Sequence, residues 1–149
     1  LKVLLDGFNI RSFVKTSGKT GLHVFVPITT DYSYEQTRSF AEIIGKILAK
    51  RMPDKITMDW SIPRRKGRVF FDYKQNVKGK TLASAYSVRP TRLATVSMPL
   101  GWDKLPTPKA EDFRIDNVPN ILKNSKDSWH NILQQKQNLR KLLESVSSL

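Results

Sequence analysis

The run Arg64-Arg65-Lys66-Gly67-Arg68-Val69-Phe70-Phe71-Asp72-Tyr73-Lys74-Gln75-Asn76, continuing through Lys78-Gly79-Lys80, constrains this chain more than any other stretch. It sets one carboxylate, Asp72, in a strand-like apolar segment with cations on both flanks. Side chains on a strand alternate between faces. Val69, Phe71 and Tyr73 are therefore expected to face a core, while Arg68, Phe70, Asp72 and Lys74 share the opposite face. A lone acid on so basic a face suits a divalent metal whose neighbours grip phosphates. On this stretch alone, a plain ion pair with Arg68 or Lys74 on a solvated surface is the preferred reading.

The charge elsewhere narrows the partners. The 149 residues carry 26 Lys+Arg against 13 Asp+Glu, a formal net charge of +13. Residues 46–92 hold 13 of those cations, opposed only by Asp54, Asp59 and Asp72. Such a block favours a polyanion, bound with strong salt dependence. A membrane surface would want the charge on an amphipathic helix, whereas here it is interleaved with strand formers, so nucleic acid is preferred. The length suits one domain with a real core. The lack of cysteine excludes disulfides and thiolate metal sites. No run of 18 apolar residues and no signal-peptide pattern occurs, so a soluble intracellular protein without a membrane partner is expected. The sequence opens at Leu1 inside a helical pattern, which reads as a piece of a longer protein.

Taken in order, residues 1–8 read as the end of an amphipathic helix stopped by Gly7. A strand over 11–16, the loop Ser17-Gly18-Lys19-Thr20-Gly21 and a β-rich run over 22–28 predict a hairpin with a polar tip. Gly18-Lys19-Thr20 is not a P-loop. Five positions before Gly18 stands Phe13, and the loop opens a β-rich run, not a helix. Phosphate contact through Ser17, Lys19 and the loop N–H groups stands beside an ordinary turn as a reading. His23, on the Phe25 side of its strand, is structural or functional. Residues 33–51 form the clearest helix, capped by Ser33 with Gln36 and ended by Pro53. A short strand over 56–60 leads through a basic connection, 63–67, to the central strand. A hairpin there would set Asp59 opposite Asp72. Residues 76–80 read as a turn, 81–89 as an extended run and 96–119 as irregular. A second helix is expected over 127–146, with Trp129, Ile132, Leu133, Leu139, Leu142, Leu143 and Val146 on one face.

Neither His23 nor His130 has the neighbours of a nucleophilic triad, and no Cys/His cluster offers a zinc site. A carboxylate, a polar glycine loop followed by His, and many cations suit nucleotidyl transfer, where carboxylate-held metals clamp the reacting oxygens. A two-metal site normally takes two or three carboxylates. This chain offers one good one.

Lys15-Thr16-Ser17-Gly18-Lys19-Thr20-Gly21-Leu22-His23-Val24, then the Arg64 to Asn76 run, then Gly79-Lys80-Thr81 and Tyr86-Ser87-Val88-Arg89 resemble, in that order, the primase-polymerase domain of bacterial DNA ligase D. That domain belongs to the archaeo-eukaryotic primase superfamily. Asp112-Phe113-Arg114-Ile115 with Asn117-Val118-Pro119 is similar to the family's closing signature, and the likeness spans residues 1 to about 130. The resemblance implies that Ser17 and His23 contact the incoming triphosphate and that Asp72 is the third-motif metal carboxylate. It places Lys19, Arg65, Gln75, Lys80 and Arg89 around the nucleotide, while Arg64, Lys66, Arg68, Lys74 and Lys78 are the candidate DNA contacts. Thr20 stands where many members have lysine, with Lys19 one place early. The family's Asp-x-Asp pair does not occur here, and Asp6 is the only acid ahead of the loop.

The resemblance thus implies an α+β fold, a mainly antiparallel sheet with flanking helices around a primase-polymerase core whose N-terminal part is missing. It implies a fragment of a polymerase that adds nucleotides to primed, gapped or broken DNA ends during end joining, using Mn2+ or Mg2+ and nucleoside triphosphates. A fused or separate ligase, an end-binding protein and a cytoplasmic, nucleoid-associated setting belong to the same implication, and this chain alone is expected to be inactive. The alternatives are a non-catalytic nucleic-acid-binding module derived from that fold, and an enzyme in which Asp59 is the second carboxylate.

Overall fold

The computed structural model describes residues 1–105, 108–140 and 143–144. In chain order its helices and strands are α1 (Lys2–Gly7), β1 (Phe13–Thr16), β2 (Leu22–Phe25), α2 (Tyr34–Arg51), β3 (Ile56–Thr57), α3 (Ile62–Arg65), β4 (Val69–Phe70), β5 (Pro99–Leu100) and α4 (Val118–Lys123). The arrangement is α+β with an antiparallel main sheet. The chain falls into two compact units. One comprises Lys2–Thr29 with Ala83–Asn138; the other comprises Thr30–Leu82, Leu1 and the described residues from Leu139 onward.

The first unit is built on the sheet β2-β1-β5, antiparallel throughout. β1 and β2 form the expected hairpin, with Val14 opposite Val24 and Lys15 opposite His23. Val14 is fully buried among Val96, Met98, Leu100, Phe113 and Val118, which makes β1 the middle of this core. α1 ends at Gly7, as expected, and the residue that turns the chain out of it is Asn9. Asn9 takes the left-handed conformation (φ 56°), and the Ile10 and Asn9 N–H groups reach back to the Leu5 and Asp6 carbonyls, both at 2.8 Å. That pairing satisfies the last carbonyls of the helix.

Three expectations fail in this unit. Residues 96–119 are not wholly irregular, because β5 supplies the third strand. Thr16 N–H donates to the Met98 carbonyl and Met98 N–H to Thr16 Oγ1, each at 2.9 Å. Pro99 cannot donate, and it is tolerated because β5 lies at the sheet edge. The 81–89 run is not a continuous strand. Tyr86 is left-handed (φ 62°) and turns the chain, held by its N–H to the Ser97 carbonyl and its hydroxyl to Asp127. Nor is there a helix from 127. Residues 127–131 turn, Ile132–Gln134 is a single 3-10 turn, and Gln137 is extended beside Ile28. The reason is tertiary. Trp129 donates its indole N–H to the Val14 carbonyl and lies edge-on to Phe25, while Gln137 exchanges side-chain hydrogen bonds with the backbone of Arg11. Leu142 and Val146 lie outside the described residues.

In the second unit, α2 has the expected capping box, with Ser33 Oγ accepting from Gln36 N–H and the Gln36 side chain from Ser33 N–H. Its buried face is Phe40, Ile44, Gly45 and Leu48. β3 and β4 pair in parallel, Ile56 with Val69 and Thr57 with Phe70, so they are not the hairpin the sequence suggested. Pro63 favours the first turn of α3, and Lys66 and Gly67 are both left-handed (φ 48° and 76°), so the connection completes a helical turn and sends the chain back in its original direction. The expected long strand is also short. Val69 is 68% exposed, against the core-facing role read for it, because β4 is an edge of a two-stranded ladder that ends at Phe70.

Candidate nucleotide and nucleic-acid site

The sheet unit gathers Lys15, Ser17, Gly18, His23 and Arg89. The hairpin sets Lys15 beside His23, and a second layer of bonds fixes both. The buried Lys15 ammonium donates to the Ala83 carbonyl at 2.8 Å and to Ser97 Oγ, and lies 3.2 Å from His23 Nδ1. Burial, then the Arg89 charge, pushes Lys15 down to about 8. Burial, then Lys15 and Arg89, holds His23 below the usual histidine range. Near neutral pH this is a neutral imidazole between two cations.

The loop completes an array of donors. Ser17 Oγ accepts the Lys19 and Gly21 N–H groups, both at 3.1 Å. A hydroxyl has two acceptor sites and one donor, so the Ser17 hydrogen is left to point at an external acceptor. Gly18 (φ 70°) is locked by Thr95 Oγ1 on its carbonyl, and a Cβ there would strike Arg89 Cγ. Arg89 Nε is buried and has no hydrogen-bond partner among the described residues. An orphaned guanidinium N–H and a spare hydroxyl hydrogen, with the charge of the Lys15 ammonium in the same unit, together suit a phosphate. Lys19 is exposed, and only its backbone takes part in this network.

In the other unit, Asp72 Oδ1 accepts the Lys74 N–H at 3.1 Å and Oδ2 accepts Gln75 Nε2 at 2.8 Å. The plain ion pair is not formed. Arg68 directs its guanidinium to the Pro53, Arg64 and Arg65 carbonyls, and the Lys74 ammonium lies 4.7 Å from the Trp60 ring centroid. Arg65 is likewise braced, stacked 3.8 Å from the Phe70 centroid and bonded to the Asp59 and Trp60 carbonyls. Arg64, Lys66, Lys78 and Lys80 are exposed. Continued past its last pair, the parallel register brings Asp59 level with Asp72, but the Asp59 carboxylate accepts from Ser61 N–H and lies 4.0 Å from Arg64. Asp72 is a hard oxygen donor of the kind Mn2+ and Mg2+ take. Among the described residues, however, no three His, Asp or Glu side chains group as metal ligands, so these residues do not make a complete metal centre.

Two residues escaped the sequence reading. Lys15 was legible in principle, since the hairpin register pairs it with His23. Trp60 is 46% exposed and set edge-on to Phe70, 5.0 Å between centroids; aromatics interleaved with cations form a surface on which a base can stack.

A family model described as the LigD primase-polymerase domain matches residues 1–129. The chain belongs to this family. It is 35% identical over 127 residues to a bifunctional non-homologous end joining protein LigD from Bacillus subtilis, covering 83% of this chain and 20% of that protein. The multifunctional LigD of Pseudomonas aeruginosa is 32% identical over 120 residues, covering 80% of this chain and 14% of that one. Among solved structures, the polymerase domain of Mycobacterium tuberculosis ligase D in complex with DNA superposes with a TM-score of 0.80 at 26% identity, covering 91% of this chain and 47% of that one. The chain thus spans a fifth or less of the length of these curated LigD relatives. No helix among the described residues is long and apolar enough to cross a membrane.

Proposed function

We propose that this chain is the nucleotide-handling part of a metal-dependent LigD-type primase-polymerase, which adds nucleotides to primed, gapped or broken DNA ends during end joining. The observation that carries the reading is the buried Arg89 Nε–H without a partner among the described residues, on a side chain that packs over the Gly18 loop whose Ser17 hydroxyl accepts two loop N–H groups and keeps its own hydrogen free to donate. Ser17, His23 and Arg89 bind the triphosphate. Asp72 contributes one carboxylate to Mn2+ or Mg2+, and Gln75 orients it. A complete metal centre would need further carboxylates beside Asp72. Lys80 and Arg65 serve the nucleotide, the latter by shaping the Trp60–Phe70 surface, and Lys19 supplies its backbone. Arg64, Lys66, Lys74 and Lys78 meet the DNA backbone, while Arg68 supports their turn. A ligase would act on the same ends, in keeping with the names of the relatives, and an end-binding protein belongs to the same proposal.

The incomplete ligand set favours one second reading, a module that binds nucleic acid without catalysis. Equilibrium binding of a fluorescent nucleoside triphosphate separates the two. The polymerase reading expects binding strengthened by Mn2+, with that gain lost in Asp72→Ala and duplex DNA binding unchanged. Triphosphate binding indifferent to both Mn2+ and Asp72, with DNA binding intact, supports the module.

A further inference from the structure

We propose that Lys15 is a positioning residue for His23: its ammonium occupies Nδ1, so the imidazole keeps its proton on Nε2 and presents that N–H as a donor to phosphate. The phosphate half of this statement rests on the reading of His23 given above; the Lys15 half stands on the hydrogen bonding alone.

The bonds leave one assignment. An ammonium has three donors and no acceptor. Lys15 Nζ has three partners within 3.2 Å: the Ala83 carbonyl, Ser97 Oγ and His23 Nδ1. Ser97 donates its own hydrogen to the Thr16 carbonyl at 2.7 Å, so toward Lys15 it only accepts. A carbonyl can only accept. The third ammonium hydrogen therefore goes to His23 Nδ1, which must be bare, and the ring proton sits on Nε2. Lys15 is fully buried in the middle strand, where an unpaired charge would be costly. Its three acceptors offset that cost, and the imidazole is one of them. The same ammonium, with Arg89, opposes a second proton on His23. His23 is thereby held as a neutral donor of fixed orientation, and no proton has to leave it before an anion binds.

Long-range 1H–15N correlation spectra of the histidine rings in the whole chain read this directly. The expected spectrum shows His23 with bare Nδ1 and protonated Nε2, and adding inorganic triphosphate shifts the Nε2 signal. In Lys15→Met, the expected result is a mixture of tautomers, titration of His23 closer to the ordinary histidine range, and roughly 10-fold weaker triphosphate binding, the loss of one charge-assisted contact. Protonated Nδ1 in the unaltered chain would overturn the proposal, and that result needs no variant to fold. An unchanged His23 spectrum in folded Lys15→Met would overturn it equally. A bare Nδ1 with no response to triphosphate would instead remove His23 from the phosphate site and leave the hold of Lys15 on the ring standing.

Discussion

Arg89 is the residue whose environment says most about ligand. Its side chain packs over Gly18, yet its Nε–H is buried without an acceptor. Leaving such a group unpaired costs about 1–3 kcal/mol, and an anion removes that cost. Arg89→Met should therefore weaken triphosphate binding by roughly 10- to 100-fold while leaving duplex DNA binding nearly unchanged; equal loss of both would make Arg89 structural. Lys15 gives a prediction in pH. Its folded value is about 8 against an ordinary 10.5, so between those limits the unfolded chain binds more protons. Stability then rises with pH across that window, because unfolding takes up a proton. Below 8 both states carry the proton and the term is constant. Denaturant unfolding at several pH values from 7.5 to about 10.5 should show this rise in the unaltered chain and less of it in Lys15→Met. Triphosphate affinity should run the other way and fall through pH 8 as the ammonium is lost.

At the scale of elements, α2 and the 13–25 hairpin were legible because their signals are local. A Ser33–Gln36 capping box and a glycine-flanked loop work wherever the chain goes. β5 was hidden by Pro99, which reads as a breaker unless one knows that the strand is an edge. The apolar period at 127–146 predicted a helix, but the indole bond of Trp129 to β1 and the Gln137 bonds to Arg11 outweigh propensity, which is a weak term per residue. Of the candidate site, Asp72, Ser17 and His23 stood out from residue type and order. The orientation of His23 did not, since it depends on Lys15, which Ala83 and Ser97 hold from more than sixty residues further along the chain. One element-scale contact is open to test. A Cβ on Gly45 would lie 2.7 Å from Phe71 Cδ1 and 3.0 Å from Met58 Cε. Gly45→Ala should overpack α2 against the segment leading to Asp72 and cost about 1–3 kcal/mol, despite alanine's better helix propensity. A gain in stability would show that Phe71 moves aside freely.

Across the whole molecule, the net charge of +13 supplies attraction to any polyanion, and that attraction weakens steeply with salt. It does not distinguish a polymerase from a binding module. Chemistry does, and here the molecule carries the proposed phosphate array and one proposed metal carboxylate, Asp72, without an Asp-x-Asp pair in its 149 residues. Catalysis by these residues therefore requires the company of further carboxylates. The most direct measurement is Mn2+-dependent extension of a primer on a gapped duplex. It should be made with this chain and with the same chain preceded by an Asp-x-Asp segment from a LigD relative, each with and without Asp72→Ala. Extension by the longer chain alone, abolished by Asp72→Ala while DNA binding persists, is the result this account predicts. Extension that survives Asp72→Ala would contradict it.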